Sequence, residues 1–326
     1  LETVLTGEKK WILENQGPEG EFYMNGSKAG DVNPYFACMA ALGLLAETKN
    51  CPITETEKKA VGRYLDWHTG ILLETDGKMG IYRKKSGKLI YKEKADSEDG
   101  YLGMYLFLMG KYLEKTESTD LPEYWKKGIS LALKKIQSLM QDGITQVSEE
   151  NTTVYLMDNL EVWKGLYELE HAGLKDVQAI REMRNKLQAQ IEKLFWDDAN
   201  QRWRIIENSD LYHQKEFYPD GVAQIYPLIY EFPVKEKKKQ KILYKQFTER
   251  FQWQKLTKKR NGFLWAMTGM AAAQMGDINN LLEMIRNYEA EYCENRKYPL
   301  YTGEAGWICM ECEKLNSLNE RKIKSG

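Results

Sequence analysis

Histidine is scarce in this 326-residue chain, with three in all, His68, His171 and His213. Three scattered histidines argue against a Ser–His relay, and the chain has no G-x-S-x-G elbow, no P-loop and no dinucleotide fingerprint following a strand. No apolar run approaches the roughly 18 residues that a membrane span needs. Neither charge sign prevails: 47 Lys and Arg against 48 Asp and Glu leave a formal net charge of −1. That balance implies no basic face, so nucleic acid is not an expected partner. The cysteines, Cys38, Cys51, Cys293, Cys309 and Cys312, number five, and an odd count excludes a complete disulfide framework. Cys309 and Cys312 form one C-x-x-C, but zinc would need two further ligands, so the cysteines are read as core residues and no metal or cofactor is expected. The chain starts at Leu1 rather than Met. A trimmed N-terminus is therefore expected, which leaves export and a cytoplasmic location both open, and the oligomeric state is not legible.

Aromatic residues, by contrast, are abundant at 12 %, with 20 Tyr and 9 Trp, inside an otherwise ordinary globular composition of 42 % hydrophobic and 29 % charged residues. Such rings build a large core, or they build a sugar-binding surface, because pyranose rings present flat C–H faces that stack on Trp and Tyr.

Apolar residues recur at spacings of three and four nearly throughout, the helical period, and strand-like alternation is sparse. The pattern predicts twelve helices, over roughly 2–15, 34–47, 54–70, 97–114, 121–140, 157–171, 175–195, 220–231, 235–250, 262–275, 277–291 and 303–315. Links after odd-numbered helices are mostly long, such as 71–96. Links after even-numbered helices are short, and short links make antiparallel neighbours. The odd helices are amphipathic and charged, as in Glu55-Thr56-Glu57-Lys58-Lys59. The even ones are small and apolar, as in Phe36-Ala37-Cys38-Met39-Ala40-Ala41-Leu42-Gly43 and Ala266-Met267-Thr268-Gly269-Met270-Ala271-Ala272-Ala273, and a helix apolar nearly all round is buried. Six hairpins with even helices inside and odd helices outside make an all-α (α/α)6 barrel, expected to form one domain over 1–326. An open α-solenoid would share the pairing, but it would not need functional residues at every inner N-terminus.

Each inner helix opens with polar and aromatic residues, and the long links crowd the same rim. Asp158, in Tyr155-Leu156-Met157-Asp158-Asn159-Leu160-Glu161-Val162-Trp163, is the leading catalytic candidate. As a helix N-cap, Asp or Asn explains one of these polar residues but not the crowding of Asp158, Asn159, Glu161 and Trp163. Asp96, Glu98 and Asp99 repel one another unless solvated, paired or used. Asp96 and Asp99 are catalytic candidates because neighbouring acids can keep a carboxyl protonated as a general acid. A magnesium site of the Asp-rich prenyl-transfer kind finds no matching acids on a second helix. Asp220 follows Tyr218-Pro219, a standard helix entry, and completes the catalytic set. Expected ligand contacts are Tyr35, Tyr101, Glu161, Trp163, Tyr218, Gln224, Trp265, Glu304 and Trp307. Glu161, one turn below Asp158, reads as a supporting carboxylate. Trp67 and His68, on an outer helix, are placed at the far side of the barrel. Acids and rings without histidine suit carboxylate-driven glycan chemistry: one carboxyl protonates the leaving oxygen, and the other activates water or attacks the anomeric carbon.

The segments Asp96-Ser97-Glu98-Asp99-Gly100-Tyr101, Tyr155–Val162, Tyr218-Pro219-Asp220-Gly221-Val222-Ala223-Gln224 and Glu304-Ala305-Gly306-Trp307 resemble a group of poorly characterised bacterial proteins within the six-hairpin glycosidase superfamily. The resemblance spans essentially the whole chain. It implies the closed barrel and a carbohydrate ligand held at the N-terminal ends of the inner helices. That superfamily includes glucoamylases, family-eight glycoside hydrolases, unsaturated glucuronyl hydrolases and family-seventy-six mannanases. The adjacent Asp-Asp pair of the mannanases is absent, with Glu98-Asp99 standing at the second inner helix. The expected activity is glycoside hydrolysis. The alternatives are a non-catalytic carbohydrate-binding scaffold, or a sugar epimerase or lyase using His213 or Tyr212 as base.

Overall fold

The computed structural model describes residues 1–26, 30–85, 88–118, 120–207, 209, 216–256 and 262–325. His213 and Tyr212 lie outside the described residues. Twelve helices follow one another as α1 (Glu2–Glu14), α2 (Pro34–Leu44), α3 (Glu55–Glu74), α4 (Glu98–Thr116), α5 (Glu123–Leu139), α6 (Leu156–His171), α7 (Gln178–Phe195), α8 (Val222–Ile229), α9 (Lys237–Phe251), α10 (Thr268–Met275), α11 (Ile278–Tyr292) and α12 (Thr302–Ser325). The ends are set locally. Asn33 accepts the Tyr35 N–H with Pro34 at the first turn of α2, and Thr54 and Glu57 form a reciprocal capping box at α3. The outer helices bury one stripe each: α5 covers Trp125, Ile129, Ala132 and Ile136 and leaves its lysines outside.

The even helices close an inner ring. Each packs on the next even helix and α12 returns to α2, with the seam between α6 and α8 the loosest. This is the expected (α/α)6 barrel. Close approach at two seams requires glycine. A Cβ on Gly165 would sit 2.3 Å from the Gly103 carbonyl oxygen, and one on Gly306 would sit 2.0 Å from that of Met39. These contacts set the backbones of α4 and α6, and of α2 and α12, against each other. The two acidic helix openings at Asp96 and Asp158 are thereby brought onto one rim.

Strand structure is richer than the sequence pattern predicts. Within the expected loop 71–96, α3 continues to Glu74, and then β2 (Gly80–Lys85) and β3 (Lys88–Lys94) form an antiparallel hairpin. A short strand, β1 (Asp31–Val32), pairs with β2 and joins the hairpin to the start of α2. Two more pairs, β4 (Met140–Gln141) with β5 (Ile144–Thr145) and β6 (Trp196–Asp197) with β7 (Arg202–Trp203), trim the links before α6 and α8. The expected helix 262–275 starts only at Thr268. Trp67 is not at the far side of the barrel: its ring meets Tyr82 of the hairpin edge-on at 5.8 Å, on the rim side. His68 is buried against Tyr64 and Cys38.

Candidate active site

Two adjoining cavities, of about 560 and 470 Å3, open at the N-terminal ends of the inner helices. Both are lined by Asp96, Ser97, Met157, Asp158 and Tyr218, so they form two lobes of one cleft. The larger lobe takes residues from all six inner helices or the segments entering them: Tyr35 and Phe36, Tyr101, Glu161, Tyr226, Trp265, and Glu304 with Trp307. The hairpin supplies Ile81, Lys92, Glu93 and Lys94 as one wall. The smaller lobe lies between α6 and α8 and is lined by Tyr155, Ile206, Pro219 and Asp220.

Asp158 stands in the first turn of α6 at the junction of the lobes. Enclosure by protein pushes its carboxyl well above the usual range. The charges of Asp99 and Glu161 push the same way, and the polar Ser97 hydroxyl nearby only partly opposes them. Glu161, one turn below, faces the same cavity and is 3 % exposed. Three phenols converge on its Oε1: Tyr35 donates a short bond, Tyr226 donates at 2.6 Å and Tyr230 at 3.3 Å. Burial raises Glu161 to about 7 against the pull of these donors. Asp96 is exposed at the cleft edge and adds its negative charge to the field at Asp158.

Asp99 does not line the cleft. It is fully buried behind Asp158, where it accepts bonds from Ser97 Oγ at 2.8 Å and the Gly100 N–H at 3.0 Å. The Thr145 hydroxyl lies within hydrogen-bond distance of both Asp99 and Asn159, at 2.7 and 2.8 Å. Burial raises Asp99 to about 6. The expected catalytic candidate Asp99 thus lies outside the cleft, and its charge acts on Asp158 from behind.

Two expected ligand contacts face elsewhere. Trp163 packs on Tyr167 and Phe232, and its indole N–H donates to Gln188 at 3.2 Å. Gln224 brackets the backbone of Trp203, accepting from its N–H and donating to its carbonyl at 2.9 Å each. Helix geometry accounts for both: at 100° per residue, Trp163 cannot share the face of Asp158 and Glu161, nor Gln224 that of Tyr226. Asp220 is buried under the smaller lobe.

Glu304 lines the cleft, but its carboxylate is occupied. Oε1 accepts the N–H groups of Leu264 and Trp265 at 3.1 Å each, and Oε2 that of Ala266 at 2.8 Å. Burial raises it to about 7 against these three donors. The segment so held is strained, because Trp265 has φ +59°, a left-handed conformation rare for a bulky residue. Glu304 therefore holds Trp265 at the cleft, where its ring meets Tyr218 at 4.7 Å. Tyr218 is 38 % exposed.

Sequence reasoning underrated Glu161 and missed Tyr226 and Tyr230. The available signal was the spacing of Tyr226 and Tyr230, four apart on one helix face.

No cation pairs with Asp96, Asp158, Glu161 or Glu304 among the described residues. Lys92 is held by Asp31 and Glu93, and Lys94 by Glu98 and Glu150. Nor do the described residues gather three metal-ligating side chains at one point.

No protein-family model matches the chain, and no curated protein matches it in sequence. Solved structures do match in fold. A glycosidase in complex with glucose is 12 % identical with a TM-score of 0.68, over 97 % of this chain and 96 % of that one. A D-mannose isomerase is 11 % identical with a TM-score of 0.63, over 97 % of each chain. An inactive variant of an α-1,6-mannanase from Salegentibacter sp. HEL1_6, in complex with α-1,6-mannotetrose, is 10 % identical with a TM-score of 0.62, over 97 % of this chain and 98 % of that one. At such identities the likeness concerns the fold alone, an (α/α)6 barrel.

Proposed function

We propose that this protein is a glycoside hydrolase acting on an oligo- or polysaccharide, with Asp158 as general acid and Asp96 as its partner. Asp158 gives its proton to the glycosidic oxygen as the bond from that oxygen to the anomeric carbon breaks. Asp96 takes a proton from the attacking water, or attacks the anomeric carbon itself, and water completes hydrolysis. Glu161 and Asp99 touch no bond that breaks; their charges keep the Asp158 proton in place. Tyr218 and Trp265 offer ring faces to the sugar.

The observation that carries this reading is the cleft's unneutralised acids, one of which, Asp158, has its carboxyl pushed well above the usual range by burial and neighbouring charge. A scaffold that had only to keep its shape would tie such acids to lysine or arginine. A sugar isomerase needs a base beside a C–H bond, and the two expected for it, His213 and Tyr212, lie outside the described residues. The phenols of Tyr35 and Tyr226 are pushed further from ionising by burial and by Glu161.

A thermal-shift screen of oligosaccharides followed by product chromatography tests the reading, since a ligand that binds only the folded state raises its stability. Released sugar is the expected result. A glycan that binds and is never cleaved, or is returned as an isomer, overturns it.

A further inference from the structure

The larger lobe is a well sunk along the barrel axis rather than a groove across the rim. Met39 lines it about 6 Å below Tyr35, one helical turn down. Its floor is closed: Tyr230 is fully buried and stands edge-on to Trp307 at 6.0 Å and to Phe107 at 6.4 Å. Its walls are closed by rings at the rim. Phe36 of α2 stacks at 5.4 Å on Phe263, in the segment entering α10, with Tyr301 at the start of α12 against both, and Tyr35 lies 5.5 Å from Tyr101 across the α2–α4 side. The hairpin stands above as a further wall. The well opens at the rim, and among the described residues it adjoins the smaller lobe at the loose α6–α8 seam, where Asp96 and Asp158 stand.

A chain cut internally must run out of the site in two directions past the acids. This well has a lateral exit on one side of them and a closed floor on the other. We propose that the cleft takes a chain end: a terminal pyranose fills the ring-lined well, the bond to be cut lies at Asp96 and Asp158, and the remaining chain leaves through the smaller lobe. The product is then a single sugar.

The choice of product rests on the hydrolase reading, whereas the preference for an end does not. Reducing-end-labelled tetrasaccharides of gluco, manno and xylo series are incubated with the protein, and the earliest products are sized. A monosaccharide with a trisaccharide, labelled on either piece, is the expected outcome, and disaccharides from the first time points overturn the proposal. In parallel, Asp158→Asn is titrated with linear maltohexaose, with cyclomaltohexaose, which has no ends, and with each tetrasaccharide. At least tenfold preference for a linear chain is expected whether or not any bond is cut. Binding of the cyclic sugar as tightly as the linear one overturns the well and leaves hydrolysis standing. Binding of none of these sugars overturns both. Phe263→Ala opens the wall of rings over the start of α12 and should raise the share of disaccharide products; an unchanged product pattern in a folded variant overturns the part given to that wall.

Discussion

The two ends of the inner ring carry acidic residues in similar abundance and handle them in opposite ways. At the end opposite the cleft, Lys164 bridges Glu168 at 2.7 Å and Glu231 at 2.8 Å, and Lys314 pairs with the other oxygen of Glu231. Lys115 joins Glu47 and Glu313 at 2.7 and 3.0 Å. Although burial pushes the Glu231 carboxyl up, the two lysines hold it down to about 2. At the cleft end, Glu161 and Glu304 are surrounded by neutral donors, phenols in one case and backbone N–H groups in the other, and both stand near 7. A carboxylate matched with lysine stays charged and serves as a fastening. One surrounded by neutral donors in a dry site can hold or release a proton near neutrality, which acid–base chemistry requires. Burial alone does not separate the ends, since Glu161 and Lys164 are both nearly inaccessible. The partner decides.

The strongest test of that contrast is at the cleft. Asp158→Asn should lower kcat/KM on a cleaved glycan by about 10²- to 10⁴-fold, the usual worth of general acid catalysis, while the thermal midpoint stays level or rises. An unchanged rate would remove Asp158 from the chemistry. The mirror experiment is Lys164→Met at the opposite end. It strands Glu231 and Glu168 without their shared cation and should cost about 3 kcal/mol in denaturant unfolding, with kcat of the folded fraction unaltered. A fall in kcat with intact stability would show that the two ends are not divided into fastening and chemistry.

Stability should also respond to pH with opposite signs at the two ends. Glu161 binds its proton more tightly when folded, so its contribution is fully present below the ordinary glutamate value of 4.5 and is lost as pH climbs to about 7. That loss is on the order of 3 kcal/mol. Glu231 binds its proton less tightly when folded, so its contribution is present above 4.5 and is lost as pH falls towards 2. Glu161→Gln should flatten the stability curve between 4.5 and 7, and Glu231→Gln should flatten it between 4.5 and 2. Denaturant midpoints across that range would separate them, and one shared limb for both variants would erase the contrast.

The barrel was legible because inner and outer helices solve different problems. Phe36–Gly43 is apolar all round because it has helices on every side, whereas Lys237-Lys238-Lys239 at the start of α9 meets water. The hairpin was not legible because its strands are largely exposed and lysine-rich, so the two-residue period has no buried face to mark it. Asp158 could be read from its place at a helix opening. Glu161 could not be weighed properly, since the phenols that define it come from Tyr35, Tyr226 and Tyr230, more than 60 residues away in each case. The shortened α10 has the same origin: the carboxylate that takes the N–H groups of residues 264–266 belongs to Glu304, on another helix.

Glu304 is the residue on which the contrast can be sharpened most finely, because it stands at the cleft end yet works as a fastening. Its two oxygens take three N–H groups, and those N–H groups hold a tryptophan in a strained conformation against Tyr218. A glutamine keeps one acceptor oxygen and turns the other position into a donor facing N–H groups. Glu304→Gln should therefore cost about 1–2 kcal/mol and let Trp265 relax. A relaxed Trp265 weakens the sugar-stacking wall without touching Asp158, so KM should rise several-fold while kcat holds. Quenching of tryptophan fluorescence by a bound sugar should diminish in parallel. Were kcat to fall as far as in Asp158→Asn with KM unmoved, Glu304 would have to be counted among the acids that handle the proton, and its part as a fastening for Trp265 would be lost.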